Sequence, residues 1–238
     1  MAKADIEFIV DTLRQSKVDD DLIPALVMTA FFESGLEIEA ENTNTNKTKD
    51  FGVFQINAAS FYDGNKPDPT LKRFFKKINK TYTKKEFEEF LKNEKYNTIF
   101  AAHIVKDFQE NSIVDPMTKW VAYTSYVDPF LKGQKIQGRS NEDVIAGIGA
   151  YMDAYLQIHN YQQQENLLFK EGETPPAIRT KPIQIGEPEI TRTPLNNSEY
   201  NSQVPVGAQS YDKAKYDTEV NRIYTNLYKN ISESLGMK

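Results

Sequence analysis

The chain has 238 residues, enough for one sizeable core and, by length, for one or two domains. A formal net charge of -5 argues against a nucleic-acid partner, whose footprint would be strongly basic, and the absence of cysteine excludes disulfides, thiolate chemistry and cysteine-based zinc sites. Mean hydropathy is low at -0.61, no apolar run approaches a membrane span, and the opening stretch, with Asp5, Glu7 and Asp11 among its apolar residues, is too short and mixed to be expected as a secretory signal.

Ile6, Ile9, Val10 and Leu13 recur at helical spacing and predict a short amphipathic helix over residues 4–16. Asp19, Asp20 and Asp21 offer N-caps for a second helix, which Gly35 closes. Residues 41–50 contain no apolar side chain and read as an exposed loop. Residues 61–85, rich in Lys, Pro, Asp and Gly, read as an irregular insertion. Thr83 and Glu86 fit a capping box that opens a helix through Phe87, Phe90 and Leu91. A stronger helix covers roughly 97–112, with Ile99, Phe100, Ile104, Val105 and Phe108 on its apolar side. A short helix holds Trp120 to Tyr126, and Asn141 caps a long one through Val144, Ile148, Met152, Tyr155 and Leu156. No strand pattern of comparable strength is present, so the fold class is all-α.

Composition changes near residue 170. Six prolines stand between Glu171 and Gly207 (at 175, 176, 182, 188, 194 and 205), with few large apolar residues, so this stretch cannot build a core of its own. Ile183-Gln184-Ile185 has the alternation needed to add a strand to a neighbour's sheet. Val220, Ile223, Tyr224, Leu227, Ile231 and Leu235 then form a single stripe, and one bare stripe needs a covering surface. The expected division is therefore a helical domain over 1–165, a Pro-rich arm over 166–210 and a docking helix over 211–238.

Chemistry concentrates at Phe31-Phe32-Glu33-Ser34-Gly35. At 100° per residue, Leu22, Leu26 and Thr29 lie within about 40° of Glu33, which places the carboxyl on the apolar side of its helix. Glu33 also falls in the last turn, where the helix dipole disfavours negative charge. Both effects raise a glutamate's pKa and keep it protonated, as a general acid requires. The alternative is a boundary glutamate that reaches solvent or pairs with a lysine.

Four further words follow in order: Gly52-Val53-Phe54-Gln55-Ile56-Asn57, then Tyr96-Asn97-Thr98-Ile99 with Ala101 and Ala102, then Trp120, then Ala122-Tyr123. With Glu33-Ser34-Gly35, this series over roughly residues 20–130 resembles the lytic transglycosylase and goose-type lysozyme superfamily. The resemblance implies a lysozyme-like helical domain that cleaves the bond between N-acetylmuramic acid and N-acetylglucosamine in peptidoglycan. It implies Glu33 as the catalytic acid and Ser34 as the neighbour that orients it. Gln55 and Phe54 would line the sugar groove, Gly52 would admit the glycan, Asn97 would open its helix and contact substrate, and the Tyr123 hydroxyl would touch Glu33. Phe54 stands where methionine is usual and Thr124 where asparagine is usual; the second departure removes one expected polar contact.

In such enzymes one carboxyl serves as acid and then as base, the substrate's acetamido group stabilises the cationic centre, and a 1,6-anhydro end results. No cofactor or metal is implied. Asp50, just before Phe51-Gly52, is a candidate second carboxylate, as are Glu37, Glu39 and Glu41 in the polar loop, and any of these leaves hydrolysis by water open. A chain of this kind without an expected signal fits a phage virion component that opens the wall during entry, attached to other virion proteins through residues 171–238. A structural virion or adaptor protein with a vestigial domain is the competing reading. Other features rank lower: the lysine run from Lys72 to Lys85 reads as a solvated face rather than a site for DNA or another phosphate polymer, His103 and His159 stand alone on separate helices, and Gly147-Ile148-Gly149 reads as a close helix contact.

Overall fold

The computed structural model describes residues 2–112 and 114–168, with side chains as far as Asn160. Its described residues form seven α-helices and two small antiparallel sheets, so the fold is predominantly helical. The expected arm, the Ile183–Ile185 strand and the docking helix lie outside the described residues. The boundary placed after residue 165 falls inside a helix that continues to Leu168.

Helix α1 (Ile6–Gln15) opens at Asp5, whose carboxylate accepts from the Glu7 N–H. The acids that follow do not cap the second helix. Asp19 precedes a 3-10 turn over Asp20–Leu22 without making a side-chain cap bond, and α2 (Ile23–Ser34) starts after it with Pro24 in its first turn. Proline needs no donor there, so a capping side chain gains little. Nine residues of α2 are buried, and the helix packs against α1, against the helical segment after Trp120 and against α7 (Asn141–Leu168). Its remaining residues, Phe31, Glu33 and Ser34 in the last turn, are half-buried. Gly35 ends it in the left-handed conformation, φ +66°, with its N–H on the Phe31 carbonyl.

The polar stretch after α2 is not a simple loop. Strands β1 (Glu41–Thr43), β2 (Lys49–Phe51) and β3 (Ile56–Asn57) form an antiparallel sheet in that order, with Glu41 opposite Phe51 and Phe51 opposite Ile56. Strands of two or three residues are too short for a period-2 apolar signal, so alternation could not reveal them. A second hairpin, β4 (Tyr62–Asp63) and β5 (Lys66–Pro67), leads into α3 (Pro69–Ile78). Residues 61–85 are therefore ordered, not an irregular insertion. Asp68 caps α3 and Pro69 starts it, while Leu71, Phe74 and Phe75 turn inward and the lysines between them stay outside.

Helix α4 (Lys84–Leu91) carries the complete Thr83–Glu86 capping box. Helix α5 (Glu94–Asn111) opens at Asn93, not at Asn97. Phe74, Phe87, Phe90 and Phe100 interlock with ring centroids 4.9–5.8 Å apart, a dense aromatic core under α3, α4 and α5. Beyond Trp120 the helix takes one π turn over Tyr123–Val127 before α6 (Asp128–Leu131). Helix α7 is capped by Ser140, whose hydroxyl accepts from the Asp143 N–H, rather than by Asn141. Its inward stripe is Val144, Ile148, Tyr151, Ala154 and Ile158, whereas Met152 and Tyr155 are half-buried and Leu156 is exposed. Gly147 is a close helix contact, since a Cβ there would meet Phe32 Cζ at 2.6 Å.

Candidate functional site

The last turn of α2, the sheet and the start of α7 enclose a cleft of about 570 Å³. Helix α2 contributes Phe31, Phe32, Glu33 and Ser34, and the segment leading to β1 contributes Glu37, Glu39 and Glu41. Gln55 faces them from the turn between β2 and β3, and Arg139 and Asp143 close the other side.

Glu33 reaches this cleft from a half-buried position. Its Oε1 accepts a single hydrogen bond, from the Ala122 N–H at 3.0 Å. Burial pushes its carboxyl above the usual glutamate range. The Ala122 amide opposes that rise, the negative charge of Asp50 adds to it, and the charge of Arg139 opposes it. Desolvation wins because one neutral N–H replaces little of a carboxylate's hydration.

Ser34 does not hold Glu33. Its hydroxyl donates to the Val53 carbonyl (2.8 Å) and lies 3.2 Å from that of Ala30, so it ties the β2–β3 turn to the end of α2. Gln55 adopts a positive φ of 45°, and its amide nitrogen donates to the carbonyls of Gly52 (2.9 Å) and Ala40 (3.2 Å). With both donors spent on backbone, the amide oxygen is the group left for a ligand.

Three of the residues expected on the groove are structural instead. Phe54 is fully buried, with its ring 6.1 Å from that of Trp120, and forms no wall of the cleft. Asn97 is also fully buried. Its Oδ1 accepts from the Phe54 N–H (2.9 Å), and its Nδ2 donates to the carbonyls of Phe51 (2.8 Å) and Leu91 (2.9 Å). Gly52 has φ +69°, and a Cβ there would lie 2.5 Å from Asn97 Nδ2 and 2.6 Å from the Leu91 carbonyl. The glycine therefore makes room for Asn97, not for substrate. One asparagine thus satisfies three backbone groups, two at the β2–β3 turn and one at the end of α4, which is what buried backbone demands.

The tyrosine expectation is also corrected. Glu33 is held by the backbone of Ala122 rather than by the Tyr123 hydroxyl. Tyr123 is buried, and desolvation, then the charges of Asp115 and Asp128, push its hydroxyl up to about 12. Trp120 braces this wall: its Nε1 donates to the Phe54 carbonyl (3.0 Å), next to Gln55. Asp50 accepts from Asn44 Nδ2 (3.0 Å) and lies beside the cleft, near enough to act on Glu33 through its charge.

Arg139 is the residue that motif reading missed. It stands more than a hundred positions from Glu33, in the connection before α7, and no local pattern marks it. Its Nη2 donates to the Phe32 carbonyl (2.9 Å), and its guanidinium sits over the Tyr126 ring at 4.6 Å and the Phe32 ring at 5.6 Å. Among the described residues no cluster of His, Asp and Glu could hold a metal ion, and no helix is long and apolar enough to cross a membrane. Comparison of the chain with protein-family models, with curated proteins and with solved structures returned no match.

Proposed function

We propose that this protein is a lysozyme-like enzyme that cleaves the N-acetylmuramic acid–N-acetylglucosamine bond of peptidoglycan, with Glu33 as its acid and then its base. One observation carries the reading: a half-buried glutamate, raised in pKa by desolvation and fixed by one backbone N–H, opens on a cleft large enough for sugar rings. The ordered resemblance in sequence supports the same choice of residue.

In the proposed reaction Glu33 gives its proton to the glycosidic oxygen as the bond from that oxygen to C1 breaks. The acetamido carbonyl oxygen shares the positive charge at C1. The 6-hydroxyl of the same sugar then bonds to C1 and returns its proton to Glu33, leaving a 1,6-anhydro end and the enzyme unchanged. Gln55, through its free amide oxygen, orients a sugar donor opposite Glu33.

A hydrolytic outcome is favoured by one feature, the proximity of Asp50, whose charge acts on Glu33 and whose carboxylate could activate water. Mass analysis of digested peptidoglycan decides between them. Products one water lighter than reducing ends support transglycosylation, reducing ends support hydrolysis, and intact walls remove the enzymatic reading. Attachment to a virion through residues 171–238 is a separate proposal that rests on sequence. A chain ending at Lys170 should still cleave isolated walls and fail to enter particles.

A further inference from the structure

Arg139 is the cation lining the cleft, among acids. Glu33, Glu37, Glu39, Glu41 and Asp143 surround the same space. Glu41 has partners in Lys49 and Lys92. No carboxylate of the described residues lies within ion-pair distance of the Arg139 guanidinium, although several share its cleft. Nor is the side chain adrift. The Phe32 carbonyl takes one N–H, and the Phe32 and Tyr126 rings support its plane, which leaves most of its five donors for a ligand.

A fixed guanidinium with open donors matches a planar anion with two oxygens. Among the residues lining the cleft, Arg139 is where such an anion meets an opposite charge, and the acids around it disfavour any other placement. Resting on the glycan-cleaving reading above, we propose that Arg139 is a carboxylate-recognising subsite, so that the preferred substrate is an acidic glycan strand bearing a free carboxylate beside the bond that Glu33 reaches. The carboxylate belongs either to the lactyl group of an unsubstituted muramic acid or to a stem peptide attached to it. Neutral strands of the same sugars lack the partner and bind less well. Arg139 thereby sets specificity as well as bracing Phe32.

The test compares peptide-free glycan strands, the same strands with their carboxylates amidated, and peptide-bearing strands. The wild-type chain should cleave the acidic peptide-free or peptide-bearing strands with a kcat/KM about tenfold above the amidated ones, the effect of one charge-assisted hydrogen bond. Whichever acidic substrate is preferred identifies the source of the carboxylate. Arg139→Met should bring the ratio close to one, and Arg139→Lys should keep part of it. A wild-type ratio of one overturns the subsite, as does an Arg139→Met that slows acidic and amidated strands alike, the mark of a purely structural brace. Calorimetric binding of the acidic and the amidated strands to Glu33→Gln is measured in parallel. Arg139-dependent preference in binding without any cleavage by wild type keeps the subsite and overturns catalysis. Cleavage without preference does the reverse, and absence of both overturns the two together.

Discussion

Among the described residues, two carboxylates are withdrawn from water, and their pKa values move in opposite directions. Glu33, in the cleft, has one neutral amide as its hydrogen-bond donor, and burial carries its pKa up. Asp107, on α5 with 4% of its side chain exposed, also pays a desolvation cost that alone would raise its pKa. Yet Arg73 donates to both of its oxygens and the Thr70 hydroxyl donates at 2.8 Å, and together they hold it below the usual range. His103 completes this group, with Nε2 3.0 Å from the Thr70 carbonyl, and burial lowers its pKa. Burial by itself does not make a carboxyl reactive; burial with its donors withheld does. The region around Asp107 is a finished ion pair against an aromatic core, and the region around Glu33 is left incomplete on the side that faces the cleft.

The sharpest way to break this comparison is to replace the Glu33 carboxyl by an amide. Glu33→Gln keeps the shape and the Ala122 contact, so wall cleavage should fall by about 10²–10⁴ while the circular dichroism spectrum stays unchanged. Near wild-type clearing of cell walls by the purified variant would end the assignment.

Arg73→Met strikes the other acid. It strips Asp107 of its cation and should destabilise the fold by about 1–3 kcal/mol, less than the loss of a fully buried pair because Arg73 is 43% exposed. Denaturant titration reads this loss, and specific activity of the folded fraction should not change. Asp50→Asn is a smaller perturbation. If Glu33 works alone, activity should drop by less than about tenfold, and the alkaline limb of the rate profile should move to lower pH because a charge that raises the Glu33 pKa is gone. A severe loss with reducing-end products transfers the base role to Asp50.

The smallest effect is the pH dependence of stability, and its sign differs between the two acids. Glu33 binds its proton more tightly folded than unfolded, so its contribution is complete below the ordinary value of 4.5 and is lost as pH rises through the raised folded value. Asp107 binds its proton less tightly folded. Its contribution is present above the ordinary value of 3.8 and is lost as pH falls through the lower folded one. Thermal melts across pH should therefore show Glu33→Gln gaining on wild type as pH rises above 4.5. A constant difference across that range contradicts a raised Glu33 pKa.

Much of the framework was legible one segment at a time. The α1 stripe, the Thr83–Glu86 box, the Gly35 stop and the apolar side of α5 are local signals, each read within a few turns of helix. Glu33 was legible for the same reason, because its position in the last turn and among apolar neighbours follows from helical spacing. The β1–β3 sheet was not, since its strands of two or three residues are held by backbone pairing that leaves little trace in side-chain type. Helix α3 escaped notice because its apolar stripe is interleaved with lysines, although Asp68-Pro69 marked its start.

What the sequence by itself determined was a predominantly helical chain without cysteine chemistry, and an acid placed at the end of an apolar helix. Only the tertiary structure decided what meets that acid. The Ala122 amide arrives from 89 positions away, Arg139 arrives from the connection before α7, and Asn97 and Gly52 prove to be one interlocked support beneath Gln55. Helical spacing acts over a few residues and is written in neighbouring side chains. The donors and charges that set a carboxyl's state act through space over several ångströms, and chain order says little about which of them will be there.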